Sequence, residues 1–335
     1  MNVLVLSSTA AAINYIRALA PDPAIRLHVT DSNPHSAGLY LPGVRPIVVP
    51  PARDHMAYRT ALDRIIAKRS IEVLIPTSDY DVAAVMDYLE DGWQPPVALF
   101  RPTFSAFKIL SHKRRLMERM IVDFPCNTPR TWGSRAEIGP ADLRFPLVVK
   151  PANESGGKGV AVVEDAVGLD DQVGKIRRWF GDDYVIQEFI PGRTYIVSMV
   201  YDHDGSLVVG AAMRSHLTTF TWGGAGRSGE LCDSPELLKL VDDMVRAAGG
   251  WRGPINLEFR DHAEYGRFYV MEGNCRLNGY SYLTTMNGLD LPRVVLALLT
   301  DRKLPPLTGL APLHRRNFIF GLRETPVADW ATARE

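Results

Sequence analysis

The chain has 335 residues and a formal net charge of zero, with 46% hydrophobic and 23% charged residues. This length predicts about two domains or three small ones, and the composition is that of a soluble globular protein. Zero net charge and the lack of interleaved aromatic and basic residues argue against nucleic-acid binding. No apolar run has the length of a membrane span, so we expect no membrane partner.

Three widely spaced cysteines, Cys126, Cys232 and Cys275, form neither a CxxC pair nor a zinc-binding pattern. A sparse, odd set of cysteines is typical of a reducing compartment. The apolar N-terminus has no basic residue before Arg17 and continues into a helical pattern, which favours a first strand and helix over a leader peptide. We therefore expect a cytoplasmic protein.

The first hundred residues alternate apolar strands with helices, a pattern that predicts a doubly wound, Rossmann-like layer. The runs VLVLSS at residues 3–8 and IEVLIPTSD at residues 71–79 are typical of strands buried in a parallel sheet. The segment SSTAAA stands where a dinucleotide-binding layer would carry GxGxxG, so nothing indicates NAD binding. The predicted strands span residues 3–8, 26–33, 45–51 and 71–79. The first predicted helix ends near residue 19, and two more span residues 55–68 and 80–89.

The middle of the chain predicts a basic helix over residues 105–119, followed by an irregular connection and a strand, FPLVVK, at residues 145–150. The cluster KRR at residues 113–115 could equally be a solvated helix face. After a glycine-rich stretch, a helix is predicted over residues 168–180.

The glycine-rich stretch KPANESGGKGVAVV, at residues 150–163, raises a question of its own. It is not a Walker A loop, because Gly159 and Val160 follow the lysine where that motif needs Ser or Thr and a helix. The local pattern is strand, flexible loop, strand. A plain hairpin turn and a phosphate-binding loop both fit it.

The last third predicts strands over residues 184–214, with turns at 191–192 and 203–205, and a helix over residues 235–248. Two further strands follow at residues 253–261 and 267–274, and a last helix at residues 291–299. The proline-rich tail after residue 305 predicts nothing specific.

Two acids lie inside the late apolar strands. Glu258 follows Leu257, and Glu272 precedes Gly273 and Asn274. An acid in such a strand costs several kcal/mol unless it is paired or coordinated. If the strands are antiparallel neighbours, Glu258, Glu272 and Asn274 can converge on a hard oxygen site of the kind that Mg²⁺ prefers. The alternative is a pair of salt-bridged surface acids.

The order of these segments resembles the ATP-grasp family, and in particular its carboxylate–amine ligases, including carbamoyl-phosphate-synthase-like members. The resemblance covers nearly the whole chain, and EGNCR at residues 272–276 is similar to the E-x-N-x-R signature of these ligases. It implies an α/β fold with a Rossmann-like N-terminal domain, a small lid with the glycine loop, and an antiparallel C-terminal subdomain. The expected boundaries are 1–104, 105–186, 187–311 and a tail at 312–335.

The resemblance also implies the residues that bind ATP. Lys150 would contact the α- and β-phosphates, Lys113 would act similarly from the central helix, and the segment QEFI at residues 187–190 would hold the adenine. Glycine suits the loop because backbone N–H groups must approach an anion closely. The expected ATP-binding residues are Lys113, Lys150, Ser155, Gly156, Gly157, Lys158, Gly159, Val160, Gln187, Glu188, Phe189 and Ile190.

By the same resemblance, Glu258, Glu272 and Asn274 would bind Mg²⁺, for which Mn²⁺ could substitute. The expected catalytic residues are Arg276, which would stabilise the transferring phosphoryl group, and Lys150. Cys275 should face away from its neighbours on the strand and is not expected to be a nucleophile.

Two positions depart from the family pattern. Thr194 stands where many members have an acid that binds the ribose, and Gln187 precedes Glu188 where Glu-Glu or Glu-Lys is common. The segment at residues 213–230 is expected to be a substrate loop with a mobile lid around Trp222. Arg214 and Arg227 there could grip a carboxylate, and Asn278 should line the acceptor side.

Together, the expected ATP-binding, metal-binding and substrate-binding residues predict an ATP-dependent ligase. It would form an acylphosphate from a small carboxylate, release ADP and join the acyl group to an amine. Alternatives are a thiol, hydroxyl or bicarbonate acceptor, or a nucleotide-binding protein without turnover. The expected partners are small molecules, and homodimers are common in the family.

Overall fold

The computed structural model describes residues 1–220, 223–262, 264–307 and 317–319. For residues 219, 220, 223–227 and 317–319 it describes the backbone alone. Within these residues the chain forms three sheets, of four, four and six strands. The mixed α/β fold matches the predicted fold class.

The first sheet is parallel and contains β1 (Asn2–Leu6), β2 (Arg26–Asp31), β3 (Val44–Val48) and β4 (Val73–Pro76). Its strand order is β3-β2-β1-β4, so the chain adds strands on both sides of β1. The helices are α1 (Ala10–Leu19), α2 (His55–Arg69) and α3 (Asp79–Glu90). The predicted doubly wound layer is confirmed.

The continuous apolar run of β1 arises because both of its faces are covered. Val3 and Val5 pack in the cluster that contains α1, whereas Leu4 and Leu6 pack in the cluster that contains α2 and α3. The Ser78 side chain accepts a hydrogen bond from the Asp81 backbone and so starts α3 directly after β4.

The prediction of one continuous basic helix over residues 105–119 is wrong. The structure has two helices there, α4 (Phe104–Leu110) and α5 (Lys113–Asp123). Ser111 ends the first, and the His112 side chain accepts a hydrogen bond from the Arg115 backbone to start the second. The Lys113 amide also donates to the Ala152 carbonyl at 3.3 Å. This break places Lys113 at the first turn of α5.

The second sheet, the lid sheet, is antiparallel with the order β5-β8-β6-β7. It contains β5 (Thr131–Trp132), β6 (Leu147–Pro151), β7 (Ala161–Val163) and β8 (Tyr184–Glu188). Helix α6 (Ala166–Phe180) covers one face, with Leu169, Val173 and Ile176 buried.

The third sheet is antiparallel, with the order β13-β12-β9-β10-β11-β14. Its strands are β9 (Thr194–Tyr201), β10 (Leu207–Phe220), β11 (Gly223–Cys232), β12 (Gly253–His262), β13 (Arg267–Asn274) and β14 (Asn317–Ile319). The remaining helices are α7 (Pro235–Ala247), α8 (Tyr282–Met286) and α9 (Leu291–Leu299).

Both faces of this third sheet are buried. Val197 and Met199 of β9 pack with α4, α5 and α7, whereas Val200 and Ala211 pack with α1 and α9. The third sheet therefore shares one hydrophobic cluster with the N-terminal layer. This shared packing positions the two parts of the chain relative to each other.

The substrate loop predicted at residues 213–230 is instead part of the hairpin of β10 and β11, whose backbones pair from Ala212–Cys232 to Phe220–Gly223. Strand pairing satisfies backbone groups that a free loop would leave to solvent. Trp222, which suggested a mobile lid, lies outside the described residues.

Candidate active site

A cleft of about 480 Å³ lies where the three sheets meet. Its walls come from the first turns of α1 and α3, from the lid sheet and its glycine loop (residues 154–160), and from β9, β12 and β13. Most of the residues expected to bind ATP, metal or substrate lie on these walls. They are Lys113, Lys150, Ser155, Gly156, Gly157, Lys158, Val160, Phe189, Ile190, Glu258, Glu272, Asn274, Arg276 and Asn278.

Glu258 and Glu272 face each other directly across β12 and β13. Burial, followed by the charge of Glu272, raises the pKa of Glu258 to about 8. Burial also opposes ionisation of Glu272, but the positive charges of Lys113 and Lys150 outweigh it and lower its pKa. One carboxylate of the pair is thus ionised near neutrality while the other tends to keep its proton.

Lys113 connects this pair to the glycine loop. Its Nζ lies 3.3 Å from the Glu272 Oε2 and donates to the Glu154 carbonyl. Because α5 begins at Lys113, the side chain projects from a helix end that is itself tied to Ala152 after β6.

Lys150 is buried, and its Nζ donates to the Gln187 Oε1 at 2.9 Å and to the Met271 carbonyl at 3.1 Å. Burial lowers its pKa to about 8. The Gln187 amide in turn donates to the Thr131 hydroxyl at 2.9 Å. The Gln187 side chain is therefore fully buried and orients Lys150, and it does not line the cleft. That Gln187 contributes to ATP binding, partly through its backbone, stays a prediction.

Arg276 is oriented by an acid from the N-terminal layer. Its Nη2 donates to the Asp79 Oδ2 at 2.8 Å and to the Asn274 Oδ1 at 3.1 Å. The Asn256 amide donates to the Arg276 carbonyl at 2.9 Å. Asp79 and Asn256 were not expected as site residues, because the IPTSD run that ends at Asp79 indicated only a buried strand.

The glycine loop crosses the cleft with Gly156 and Gly157 at φ values of 69° and 76°, which favour glycine. The Tyr80 hydroxyl, from α3, donates to the Glu154 Oε2 at 2.8 Å, and the Lys158 Nζ lies 5.6 Å from the centre of the Tyr80 ring. We call these three side chains the loop latch. It fastens the loop to the N-terminal layer.

One part of the cleft wall, formed by the segment after β8 and the start of β9, is mainly apolar. Phe189 and Ile190 follow β8, and Thr194 begins β9. Arg260 of β12 also lines this end, and its Nη1 donates to the carbonyls of Ile190 at 3.3 Å and Gly192 at 3.1 Å. No motif in the sequence marked Arg260 as a site residue.

Three other expected site residues, Gly159, Glu188 and Arg214, do not line the cleft. A Cβ at Gly159 would meet Phe180 and Pro151, and the Glu188 carboxylate accepts a hydrogen bond from the Arg130 backbone at 3.2 Å. Arg214 forms an ion pair with Glu230 across the β10–β11 hairpin. This ion pair neutralises the charge that was expected to bind a substrate carboxylate. The side chain of Arg227 lies outside the described residues.

The donor set at Glu258, Glu272 and Asn274 fits Mg²⁺. In the part of the chain that the structure describes, no group of three or more His, Cys, Asp or Glu residues could hold a metal. The two facing carboxylates repel each other, however, and an amide oxygen lines the same cleft, so a hard divalent cation would satisfy all three. Cys275, by contrast, is buried in the core behind them.

The ATP-grasp domain profile matches residues 110–280, about half of the chain. The chain therefore belongs to the ATP-grasp family. Among curated protein sequences, none is significantly similar to it.

Solved structures with the same fold include an L-amino acid ligase from Bacillus licheniformis, with a TM-score of 0.70 and 18% identity over 89% of this chain and 74% of that one. A biotin carboxylase from Campylobacter jejuni gives 0.69 and 17%, over 91% and 72% of the chains. An N5-carboxyaminoimidazole synthetase from Staphylococcus aureus, complexed with ADP, gives 0.69 and 12%, over 91% and 78%. In the described residues, no helix is long and apolar enough to cross a membrane.

Proposed function

We propose that the protein is an ATP-dependent ligase that activates a small-molecule carboxylate as an acylphosphate and joins it to an amine. The observation that carries this proposal is the convergence of Lys113, Lys150 and Arg276 with the facing pair Glu258 and Glu272 in one cleft beneath a glycine loop. Phosphoryl transfer requires such positioning and charge stabilisation more than it requires a protein nucleophile.

The chain's own residues hold and orient the reactants. Lys113 and Lys150 bind the nucleotide phosphates, and backbone N–H groups of the glycine loop cover them. The substrate carboxylate attacks the γ-phosphorus and ADP leaves with the electron pair of the broken bond. Arg276 stabilises the negative charge on the transferring phosphoryl group, because Asp79 and Asn274 hold its guanidinium in place.

The second half of the reaction forms the amide. The amine attacks the acyl carbon, phosphate leaves with its bonding electrons, and the amine proton passes to solvent or phosphate. Glu258, Glu272 and Asn274 would hold Mg²⁺, for which Mn²⁺ could substitute. When bound, the metal neutralises the charge on the nucleotide phosphates.

The remaining assignments extend this proposal. Asn278 lines the same cleft as Arg276, and its amide is held by the Ser198 hydroxyl at 2.7 Å. We assign it to the acceptor side. We propose that the N-terminal layer ends near 104/105. The expected boundary at 186/187 falls inside β8 of the lid sheet, and the one at 311/312 would separate β14 from the third sheet, so the structure favours moving both.

A phosphate-release screen tests the reaction. Purified protein, MgATP and a panel of carboxylates are assayed with and without hydroxylamine, which traps an acylphosphate as a hydroxamate. We expect one class of carboxylate to stimulate phosphate release and to give a hydroxamate. Arg276→Ala should lower the rate at least about a hundredfold.

Arg267→Ala is the matched control, since Arg267 is an exposed arginine on β13 that does not line the cleft. If no carboxylate stimulates phosphate release while ADP still binds, the ligase proposal is wrong and a nucleotide-binding protein without turnover is favoured. A hydroxamate without any productive amine would indicate a different acceptor.

A further inference from the structure

Asp79 is an acid of the N-terminal layer to which the proposed reaction gives only the task of orienting Arg276. Four acids line the cleft in the part of the chain that the structure describes, namely Asp79, Glu154, Glu258 and Glu272. Glu258 and Glu272 form the facing pair assigned to Mg²⁺, and Glu154 accepts a hydrogen bond within the loop latch. Asp79 is therefore the acid that is left to contact a substrate.

One oxygen of the Asp79 carboxylate is bound, and the other is not. Oδ2 accepts the hydrogen bond from the Arg276 Nη2 at 2.8 Å, whereas Oδ1 accepts none within the described residues. The Asp79 side chain keeps 28% of its surface exposed on the cleft wall. Because both oxygens belong to one carboxylate, a ligand on Oδ1 would lie beside the group that Arg276 holds.

Asp79 lies in a corner of the cleft that two helix ends and one segment build. Helices α1 and α3 begin directly after β1 and β4, which are parallel neighbours, so their first turns lie at the same edge of the sheet. Gly279 fits closely against α1, because a Cβ there would lie 3.0 Å from the Cβ of Ala10. We call the lining residues of this part, 9–11, 78–80, 276 and 278–280, the N-terminal corner.

The charges of the N-terminal corner favour an acceptor that donates hydrogen bonds. Its only charged side chains in the described structure are Asp79 and Arg276, which pair with each other. In the proposed reaction Arg276 stabilises the phosphoryl group, which leaves the Asp79 carboxylate to face the acceptor. A carboxylate repels bicarbonate or a thiolate, whereas it binds the N–H groups of an amine by charge-assisted hydrogen bonds. Lys158, which approaches Tyr80 from the glycine loop, is assigned to the nucleotide.

We propose that Asp79 binds the acceptor amine and so selects an amine over anionic acceptors. The inference rests on the proposed function, because it assumes an acylphosphate in the cleft. An amine that arrives as an ammonium loses one proton to solvent, and a remaining N–H donates to the Asp79 Oδ1.

The nitrogen lone pair then attacks the acyl carbon. The nitrogen becomes positively charged as the C–N bond forms, and the Asp79 carboxylate stabilises this charge. Phosphate leaves with the electrons of the acyl C–O bond and takes one proton from the nitrogen, which gives the amide. Asp79 itself stays ionised throughout.

The test measures how the acylphosphate divides between two nucleophiles. The carboxylate that gives a hydroxamate is incubated with MgATP, hydroxylamine and a productive amine from a panel of amino acids and diamines. The ratio of amide to hydroxamate does not depend on how fast the acylphosphate forms. It therefore separates amine binding by Asp79 from the orientation of Arg276.

Hydroxylamine is small and uncharged at neutral pH, and it reacts with an acylphosphate without a binding site. In Asp79→Asn the amide oxygen can still accept from Arg276, but the carboxylate charge is gone. We expect the ratio of amide to hydroxamate to fall at least about tenfold, the value of one charge-assisted hydrogen bond. Asp171→Asn, a change at an exposed acid on α6, is the matched control and should keep the wild-type ratio.

If Asp79→Asn does not fold, Asp79→Glu decides, since it keeps the charge but displaces it by one methylene. Its ratio should fall at least about threefold. An unchanged ratio in the variant that folds overturns the proposal and leaves Asp79 as a positioning residue for Arg276. A wild type that gives a hydroxamate but uses no amine also overturns it, whereas the absence of any hydroxamate contradicts the proposed function itself and this inference with it.

Discussion

At the scale of single residues, the ionisation of Glu258 should be linked to cation binding. Burial and the like negative charge of Glu272 raise its pKa to about 8, which favours the protonated form at neutral pH when no cation is bound. A metal must displace that proton, because only the carboxylate binds the ion. Metal binding should therefore release a proton below pH 8.

We expect the apparent Mg²⁺ affinity, measured with ADP present, to rise with pH up to about 8 in the wild type. Glu258→Gln should weaken Mg²⁺ binding and flatten this pH dependence, since the amide neither ionises nor carries charge. Titration calorimetry at several pH values measures both. Asp171→Asn, an exposed acid on α6, is the control, and an unchanged affinity in Glu258→Gln would contradict the metal assignment.

A second residue, His28 in β2, links stability to pH away from the cleft. It is 3% exposed, and burial, followed by repulsion from Arg45, lowers its pKa to about 4. The unfolded chain, with a His pKa near 6.5, binds more protons between pH 6.5 and 4. The free energy of unfolding therefore falls as the pH falls through that window, by about 3 kcal/mol in total.

His28→Leu should remove this contribution, so the stability of the variant should decline less steeply between pH 6.5 and 4. Urea unfolding at a series of pH values gives the comparison. Asp81, whose pKa burial raises to about 6, titrates in the same window but is present in both proteins. Parallel pH profiles for wild type and variant would show that His28 does not contribute.

At the scale of elements, Gly273 allows β13 to pass close to the end of α4. A Cβ at this position would lie 2.3 Å from the Leu110 carbonyl oxygen, a backbone atom that cannot rotate away. Gly273→Ala should therefore destabilise the fold by about 1–3 kcal/mol and shift the adjacent Glu272 and Asn274.

Gly174→Ala is the matched comparison, because Gly174 lies in α6 with nothing within 4 Å of the added Cβ. Alanine is the better helix former, so this change should stabilise the protein by up to about 1 kcal/mol. Thermal unfolding of both variants measures the change in stability. ADP binding measures the effect of a shift of Glu272 and Asn274 on the cleft. A neutral Gly273→Ala would mean that β13 and α4 move apart freely.

Elements with strong local patterns could be predicted from the sequence. The continuous apolar runs predicted the parallel strands. The alternation of side chains along antiparallel strands predicted that Glu258 and Glu272 can converge. The break between α4 and α5 could not be predicted, since it depends on a contact between Lys113 and Ala152, about forty residues apart. The pairing of Arg214 with Glu230 likewise depends on the register of a hairpin.

At the scale of the whole molecule, the cleft is assembled from parts that are distant in the sequence. Asp79 of the N-terminal layer orients Arg276, and Tyr80 beside it forms the loop latch with Glu154 and Lys158. Sequence alone gives the order of these segments but not these contacts. The packing of the third sheet against α1 and α9 is what brings them together.

Tyr80→Phe should loosen the glycine loop, because it keeps the ring beneath Lys158 but removes the hydroxyl, which donates to Glu154 and accepts a long hydrogen bond from the Lys158 Nζ at 3.5 Å. Losing these bonds, together about 1 kcal/mol, should speed amide exchange in residues 154–160 about fivefold and raise the KM for ATP. Hydrogen exchange read by mass spectrometry measures the first effect. Tyr265→Phe, an exposed tyrosine elsewhere, is the control, and unchanged exchange would show that the latch does not restrain the loop.

The hydrogen-bond partners of Lys150 affect how the protein attracts a charged ligand. In the described structure both hydrogen-bond acceptors of its ammonium, on Gln187 and Met271, are uncharged. The lysine is held in position without an exclusive ion pair, so its field extends into the cleft. Mobile salt ions do not reach the buried ammonium itself, but they screen the approach of a charged nucleotide from solvent. Rising ionic strength should therefore slow nucleotide capture at concentrations that leave the fold intact.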